Sequence, residues 1–420
     1  MISKPSADCF VYIVPPGQTE FVTAGRFELT TDRRDTALGR FVYGKSYLAR
    51  GDAVAIDPVE LKLSDVTYET TRLGGPFGAL RDSGPDYWGR LVIEKNAGQA
   101  LLGELDYLLL SADDRAGALG FGLGQQPPGP RRKFNKTLEL EKLHRIADAL
   151  MAEEKLEPGD EAAQVQDLLL IGTSMGGARP KAVVEDDEGL WVAKFNRPED
   201  RWNNTRVERA MLELARTCGI GVAASRIEKI GAKDVLLVRR FDRDKTAKGY
   251  TRARMISGLT LLRADDAPSA RDRWSYVLMA EEMRRVVREP NKDAHELFRR
   301  MVFNALISNL DDHPRNHALL AKERDWKLSP AYDLNPSPVI AQDYRPLAMT
   351  IGDQDRFANA KNLLSQSTRF LLGADEAKAI VSRMTDQVRT TWYDVVRAQG
   401  VTEKDAELIR RAFVYEGFLR

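Results

Sequence analysis

The sequence predicts an α+β protein with two lobes, an extra β-rich subdomain at its N-terminal end and an all-α C-terminal lobe. Three observations predict this fold class. Aromatic and β-branched runs at 10–14 and 40–43, bounded by glycine and proline, indicate strands in roughly the first 125 residues. A turn signal at 186–189 between two apolar runs indicates a hairpin. Beyond about residue 250 the apolar residues mostly follow the helical period.

Composition excludes several classes of protein. A chain of 420 residues is long enough for two or three domains with substantial cores. The net charge of +1 argues against a large nucleic-acid footprint. Cys9 and Cys218 form no metal or redox motif, and the four histidines show no zinc-ligand spacing. Neither an 18-residue apolar run nor a signal-peptide core is present, so we expect a cytoplasmic protein with no membrane partner.

A proline-rich stretch at 125–133 is the clearest linker, because its prolines favour an extended connector. Its basic triplet could contact an acidic partner or simply be solvated. The predicted domains are an N-terminal β-rich subdomain (1–135), a small lobe (136–242) and a helical lobe (243–420). Loops and Asp/Arg pairing explain the segments 82–90 and 113–121 without any activity. Helices are predicted at 137–154 and near 162–170.

The small lobe contains a glycine-rich segment at 172–181, Gly-Thr-Ser-Met-Gly-Gly-Ala-Arg-Pro-Lys. Backbone N–H groups of such a segment can surround phosphates. It is not the G-x-x-x-x-G-K-[ST] motif, because Ala182 follows Lys181 and the glycine spacing differs. Taken alone, the segment could also be an ordinary turn.

The hairpin that follows the glycine-rich segment carries Lys194 within its apolar second strand. An unpaired buried ammonium is costly, so Lys194 needs a partner, and Glu208 on the amphipathic helix at 205–218 is the candidate. Kinases use a strand lysine and a helix glutamate in this way to hold ATP phosphates. Two unrelated surface charges remain the alternative. The strand at 235–243 suits an inter-lobe hinge whose backbone could meet an adenine.

The segment 309–316, Asn-Leu-Asp-Asp-His-Pro-Arg-Asn, follows an apolar helical run at 301–307. Pro314 prevents helix continuation, so we expect a loop at the end of a buried helix. Asp311 and Asn316 have the D-x-x-x-x-N spacing that kinase-type phosphoryl transfer requires, and Asp333 follows as a second carboxylate. Asp312 is one residue short of that spacing, so the acceptor role goes to Asp311. A polar helix-capping loop is the alternative.

This ordered set of motifs resembles the HipA-like serine/threonine kinases, which are the toxin components of type II toxin–antitoxin pairs. The resemblance runs from residues 82–90 to beyond Asp333. It rests on five motifs: Gly-Gly-Ala-Arg-Pro-Lys at 176–181, Val-Ala-Lys at 192–194, Arg-Phe-Asp-Arg at 240–243, Asp-Asp-His-Pro-Arg-Asn at 311–316 and Ala-Tyr-Asp-Leu at 331–334.

The resemblance implies a bilobal protein-kinase-like fold that uses Mg²⁺ and ATP. It implies that Asp311 is the proton acceptor, that Asn316 and Asp333 hold magnesium, and that Lys194 binds ATP phosphate and pairs with Glu208. The residues it places around ATP are Gly176, Gly177, Ala178, Arg179, Pro180, Lys181, Lys194, Glu208, Arg239, Arg240, Phe241, His313 and Tyr332. The chain departs from related patterns in having no H-R-D or D-F-G triplet, and in having Arg239 where the family often has an acidic residue.

The resemblance also implies regulation and partners. Ser174 matches a serine whose autophosphorylation ejects the glycine-rich loop and silences the enzyme. The N-terminal subdomain would contact a helix-turn-helix antitoxin like HipB, and through it operator DNA. The substrate would be a cytoplasmic protein, and some relatives phosphorylate an aminoacyl-tRNA synthetase. Two alternatives stay open: a small-molecule kinase on the same scaffold, and a non-catalytic nucleotide-binding regulator of a repressor complex.

Overall fold

The computed structural model describes residues 8–31, 36–98, 102–130, 134–151, 179–339 and 343–419. The chain divides into two compact units. The first comprises Met1–Arg197, Arg239–Ile256 and Leu320–Asp325, and the second comprises Pro198–Val238, Ser257–Leu319 and Trp326–Arg420. The domain boundaries drawn at residues 135 and 242 stay predictions, and the helix expected near 162–170 lies outside the described residues.

Strands and helices both occur along the described chain, which is therefore a mixed helix-and-sheet protein. The strands are β1 Asp8–Ile13, β2 Val22–Thr31, β3 Ala37–Tyr43, β4 Tyr68–Thr70, β5 Leu119–Gly122, β6 Asn135–Lys136, β7 Lys181–Glu185, β8 Leu190–Phe195, β9 Ser225–Ile230, β10 Lys233–Arg239, β11 Arg243–Thr246, β12 Gly249–Arg252, β13 Arg254–Ser257, β14 Ala318–Ala321 and β15 Lys327–Leu328.

The α-helices range from a single turn to 25 residues. They are α1 Lys45–Leu48, α2 Gly78–Asp82, α3 Tyr87–Ala97, α4 Glu104–Leu110, α5 Leu140–Met151, α6 Asn204–Thr217, α7 Gly258–Leu262, α8 Tyr276–Met283, α9 Pro290–Leu306, α10 Ala360–Ser365, α11 Ala374–Ala398 and α12 Glu403–Ile409. None of the helices in the described ranges is long and apolar enough to cross a membrane.

The β-rich N-terminal region is a five-stranded sheet in the order β4-β3-β2-β1-β5. Neighbouring strands are antiparallel throughout, and a register shift interrupts β1 between Val11 and Tyr12. Inward side chains such as Phe27 and Phe41 have no solvent exposure, because alternate residues of a strand face the core. This confirms the strands expected at both aromatic runs, 10–14 and 40–43.

The predicted hairpin is confirmed, because β7 and β8 pair antiparallel with Lys194 opposite Lys181. The turn between them is built by Asp186, whose Oδ1 accepts hydrogen bonds from the backbone N–H groups of Glu188 at 2.9 Å and Gly189 at 3.1 Å. Gly189 has φ +140°, a backbone conformation that side chains disfavour. The short strand β6 runs parallel to β7 on its other side.

The second unit is built on helices with fully buried apolar faces. In α9 these include Leu297, Met301 and Phe303, each with 0% exposure. Helix α6 begins at an N-cap, Asn203, whose side chain accepts from the N–H of Arg206 at 3.2 Å, and it ends before Gly219 at φ +78°. The helix predicted at 205–218 and the helical run predicted at 301–307 are therefore confirmed to within a few residues.

The expectation of an all-α C-terminal lobe is wrong. Strands β11 to β15 lie within 243–420, and β11 pairs with β12 in an antiparallel hairpin. Polar residues dominate these two strands, with the sequences Arg-Asp-Lys-Thr and Gly-Tyr-Thr-Arg, so no apolar alternation marked them as strands. The turn uses Gly249 at φ +132°.

Candidate active site

The loop at 307–317 follows the end of α9, as the sequence predicts. Ser308 has φ +52°, which ends the helical path, and its hydroxyl donates to the carbonyl of Ala412 at 2.7 Å. A short 3₁₀ turn, Pro314–Asn316, closes the loop before β14. Because Pro314 has no N–H to donate, it suits the first position of that turn.

Asp311 lies on the solvent side of this loop, and its side chain is exposed. Its backbone carbonyl accepts from the N–H of His313 at 2.9 Å and from the side-chain Nδ2 of Asn316 at 3.3 Å. The Asn316 amide nitrogen therefore donates a hydrogen bond within the loop, and its oxygen is the group that could bind a cation. The D-x-x-x-x-N spacing thus brings Asp311 and Asn316 together.

Four neighbours and the surrounding protein act on the Asp311 carboxyl. Its pKa is raised above the usual aspartate value, chiefly because protein atoms displace water from part of the group. The His313 ring and the Arg271 charge oppose this rise, whereas the charges of Asp333 and Asp312 add to it. Asp333 is therefore close enough to Asp311 for their charges to interact.

Asp312 differs from Asp311 in its exposure to solvent and in the hydrogen bonds of its carboxylate. It is 1% exposed, and its Oδ2 accepts from the hydroxyl of Tyr276 and from Nε2 of His317, the latter at 2.8 Å. Tyr276 in turn receives a hydrogen bond from Asn304 Nδ2 at 3.0 Å. These three partners were missed by sequence reasoning, since a buried Tyr, His and Asn on separate elements share no local spacing.

Asp333 occupies a left-handed backbone conformation with φ +58°, which is uncommon outside glycine. Its Oδ1 accepts from Asn335 Nδ2 at 3.3 Å. The preceding Tyr332 donates its hydroxyl to the Arg315 carbonyl at 2.9 Å, which ties this segment to the loop. Among the described residues no group of three or more His, Cys, Asp or Glu side chains could hold a metal, so a cation here would need Asn316 and oxygens of a ligand.

His313 is partly buried at the start of the 3₁₀ turn. Its ring meets that of Trp274 edge-on, with centroids 6.3 Å apart. His313 is therefore part of the loop that carries Asp311, and Tyr332 is hydrogen-bonded to that loop. The placement of both residues around ATP stays a prediction.

Lys194 is partly buried in β8, and Glu208 is 3% exposed in α6. The two residues belong to different compact units, and their pairing stays a prediction.

Lys181 is 3% exposed at the start of β7 and forms an ion pair with Asp86, which is 5% exposed. Asp86 also caps α3 by accepting from the N–H of Gly89 at 2.7 Å. Asp86 thus has a lysine 95 positions away as one of its partners.

Among the residues predicted to line the hinge, Arg239 and Phe241 are partly buried and Arg240 is fully buried. Arg239 is partly exposed, with its guanidinium 5.8 Å from the Trp191 ring centroid. Arg240 is 1% exposed, and its guanidinium is enclosed by the carboxylates of Asp114 and Asp242. The backbone N–H of Arg240 donates to the Leu190 carbonyl at 2.9 Å. The side chain of Arg240 is therefore held in this buried ion-pair cluster, and the assignment of Arg240 to the adenine hinge stays a prediction.

Part of the predicted nucleotide loop lies outside the described residues, namely Ser174, Gly176, Gly177 and Ala178. Arg179 and Pro180 are described at its C-terminal end, where the carbonyl of Pro180 accepts from the N–H of Phe195 at 3.2 Å. The described end of the segment is thus joined to β8, the strand of Lys194.

Comparison with known proteins agrees with the resemblance seen in the motifs. A family model described as the HipA-like C-terminal domain matches residues 173–392, just over half of the chain. Y4mE of Sinorhizobium fredii, whose name assigns it provisionally as a kinase, is 27% identical over 300 residues, covering 66% of this chain and 67% of that protein.

The fold is also similar to that of HipA from Shewanella oneidensis MR-1, solved in complex with HipB and its operator DNA. The TM-score is 0.68 at 17% sequence identity, and the match covers 96% of this chain and 94% of that one. The chain therefore belongs to the family of HipA-like proteins.

Proposed function

We propose that this protein is a serine/threonine protein kinase that uses Mg-ATP on a bilobal protein-kinase-like fold. The observation that carries the proposal is the contrast between two adjacent carboxylates. Asp311 is exposed and has a raised pKa, whereas Asp312 is sealed in the core by hydrogen bonds. A group that orients an acceptor hydroxyl must reach that hydroxyl, and only Asp311 can.

The described residues fit magnesium in chemical type. Mg²⁺ prefers oxygen ligands and is usually held by one or two carboxylates together with phosphate oxygens. The Asp333 carboxylate and the amide oxygen of Asn316 are such ligands. When bound, Mg-ATP supplies the phosphoryl group; Asp311 accepts the hydrogen bond of the acceptor hydroxyl and orients it. Lys194 contributes a positive charge for the ATP phosphates and pairs with Glu208.

We further propose that the protein acts as a growth-arresting toxin controlled by a helix-turn-helix antitoxin. The support is the family and the fold shared with HipA, which was solved with HipB and operator DNA. The N-terminal sheet β4-β3-β2-β1-β5 is the region we assign to antitoxin contacts. An aminoacyl-tRNA synthetase is one candidate substrate.

Brief induction of the protein, followed by phosphoproteomics, tests this function. We expect new phosphoserine or phosphothreonine on one or a few proteins, with slowed growth that a neighbouring helix-turn-helix protein relieves. The Asp311→Asn variant, expressed at the same level, should give neither effect. Phosphate appearing on a metabolite, with no new phosphoprotein and normal growth, would instead establish a small-molecule kinase.

Ser174 is expected to become phosphorylated during incubation with Mg-ATP. A phosphate there would add about −1.5 to −2 charges at pH 7. These charges would repel the phosphates of ATP, so ATP affinity should fall. Intact-mass spectrometry and peptide mapping should find one added phosphate on Ser174, and Ser174→Asp should bind ATP more weakly than the unmodified wild type.

Ser174→Ala is the control, because it should lose the modification while keeping every residue assigned to catalysis. Thr173 is the adjacent hydroxyl and serves as the internal comparison. A phosphate that maps to Thr173, or phosphorylated protein that binds ATP as tightly as before, would contradict this mechanism.

A further inference from the structure

We propose that Asp312 is a positioning residue, which together with Tyr276 and His317 clamps the loop at 309–317 and so holds the neighbouring Asp311 in its working orientation. The effect of the clamp on catalysis rests on the proposed function, in which Asp311 acts on an acceptor hydroxyl. Its structural part stands on contacts within the second unit alone.

Two donors converge on one oxygen of Asp312. The Tyr276 hydroxyl and Nε2 of His317 both bond to Oδ2, and all three residues are at most 2% exposed. Because a carboxylate oxygen only accepts, the bond between His317 and Asp312 is assigned with the proton on Nε2 of His317. Since Asp312 is enclosed, it holds the loop instead of contacting an acceptor.

The clamp extends to the beginning of the loop through Asn304 in α9. Asn304 donates to the Tyr276 hydroxyl at 3.0 Å, and its Oδ1 accepts from Asn309 Nδ2 at 3.1 Å. The Asn309 N–H also donates to the Asn304 carbonyl at 2.8 Å. The hydrogen-bonded chain therefore fixes the loop at its start, its middle and its end, at Asn309, Asp312 and His317.

Tyr276 is the link between α9 and the loop. Burial and the nearby Asp312 charge raise the pKa of Tyr276 well above its usual value, so the hydroxyl keeps its proton and remains a donor. Its ring also meets the His317 ring edge-on, with centroids 5.4 Å apart. Removing this one hydroxyl should therefore leave Asp312 with one donor fewer and Asn304 without its acceptor.

Asp311 depends on this arrangement because, among the described residues, the hydrogen bonds that hold it in the loop are made by its backbone carbonyl. Its carbonyl accepts from His313 N–H and Asn316 Nδ2, while its carboxylate is exposed. Fixing the side chain of residue 312 in the core directs that of residue 311 towards solvent. A misplacement of about 1 Å at a reacting group can cost about 10²-fold in rate.

Tyr276→Phe tests the clamp, with Tyr415→Phe as the matched control. The Tyr415 hydroxyl is also buried in the second unit, but it donates to the Ala358 carbonyl at 2.7 Å. We expect Tyr276→Phe to speed hydrogen–deuterium exchange of the 309–317 amides. It should also lower kcat by about 10- to 100-fold with little change in the KM for ATP. Tyr415→Phe should match wild type in both measurements, even if its melting temperature falls.

The same substitution in an Asp311→Asn background separates positioning from general stability. If Tyr276 acts through Asp311, the double variant should be no slower than Asp311→Asn alone. Exchange that stays as slow as in wild type, a kcat loss equal in both tyrosine variants, or a further loss in the double variant would each overturn the clamp. If Tyr276→Phe speeds exchange of the 309–317 amides but the wild type phosphorylates no protein, the proposed function is refuted and the clamp still stands.

Discussion

Asp311→Asn is expected to slow phosphoryl transfer by about 10²–10⁴-fold while ATP binding remains close to that of wild type. Asparagine has nearly the same shape but cannot accept a proton, and the exposed position should tolerate it without loss of folding. Transfer of labelled phosphate to an acceptor protein gives the rate. Fluorescence titration with a nucleotide analogue gives the affinity.

The pH dependence should also identify Asp311. Because the pKa of its carboxyl is raised, the fraction able to act as a base falls at a higher pH than an ordinary aspartate would give. The acid limb of kcat/KM should therefore lie above that of an unperturbed carboxyl, and Asp311→Asn should remove it. Residual activity that keeps this limb would assign it to another group.

Asp333→Asn provides the contrast, since it should weaken magnesium-dependent nucleotide binding as well as the rate. If Asp311→Asn stays active while Asp312→Asn loses all activity, the acceptor role has been assigned to the wrong carboxylate. The enclosure of Asp312 by Tyr276 and His317 is the physical reason for expecting the opposite.

Local patterns in the sequence were enough to predict the parts of the site formed by neighbouring residues. The D-x-x-x-x-N spacing places Asp311 and Asn316 in one loop, and Pro314 predicts where that loop turns. The β7–β8 hairpin followed from its turn signal at 186–189, and α6 from its buried apolar face. In each case the determining residues lie within about one helical turn or one hairpin of each other.

The contacts that hold these parts in place could not be read from spacing. Lys181 pairs with Asp86, which lies 95 positions away, and Arg240 pairs with Asp114 at a separation of 126. Tyr276 and Asp312 are 36 positions apart. A single sequence carries no periodic signal for such pairs, because each depends on how distant elements pack.

The largest effect on stability is expected from Asp242, at the centre of a buried charge cluster in the first unit. Its carboxylate accepts from the guanidinium of Arg240 at 2.8 and 3.0 Å, from Arg243 at 2.7 Å and from the N–H of Gly117 at 2.9 Å. Its side chain has 0% exposure, as does that of Arg240, and that of Arg243 has 2%. Two arginine charges therefore depend on this one carboxylate, with Asp114 as a second partner for Arg240.

The pKa of Asp242 reports how strongly the cluster favours the charged form. Burial alone would raise that pKa, but the charges of Arg240 and Arg243, with the hydrogen bonds from Arg240 and Gly117, outweigh burial and hold it far below the usual aspartate value. A carboxyl whose pKa is lower in the folded state stabilises the fold above its unfolded pKa of about 4. That contribution is lost as the pH falls towards the folded value.

Asp242→Asn should therefore lower the free energy of unfolding at pH 7 by about 3–5 kcal/mol, because it leaves buried guanidinium charge without its carboxylate. Asp244→Asn is the matched control: Asp244 is 53% exposed and pairs with Lys322, so its loss should cost about 0–1 kcal/mol. Urea unfolding at several pH values measures both. The gap between wild type and Asp242→Asn should begin to narrow from pH 7 to pH 3, because the unfolded wild-type chain binds a proton at Asp242 in this range and the folded protein does not. A gap that is small at pH 7, or independent of pH, would show that the cluster does not stabilise the first unit through Asp242.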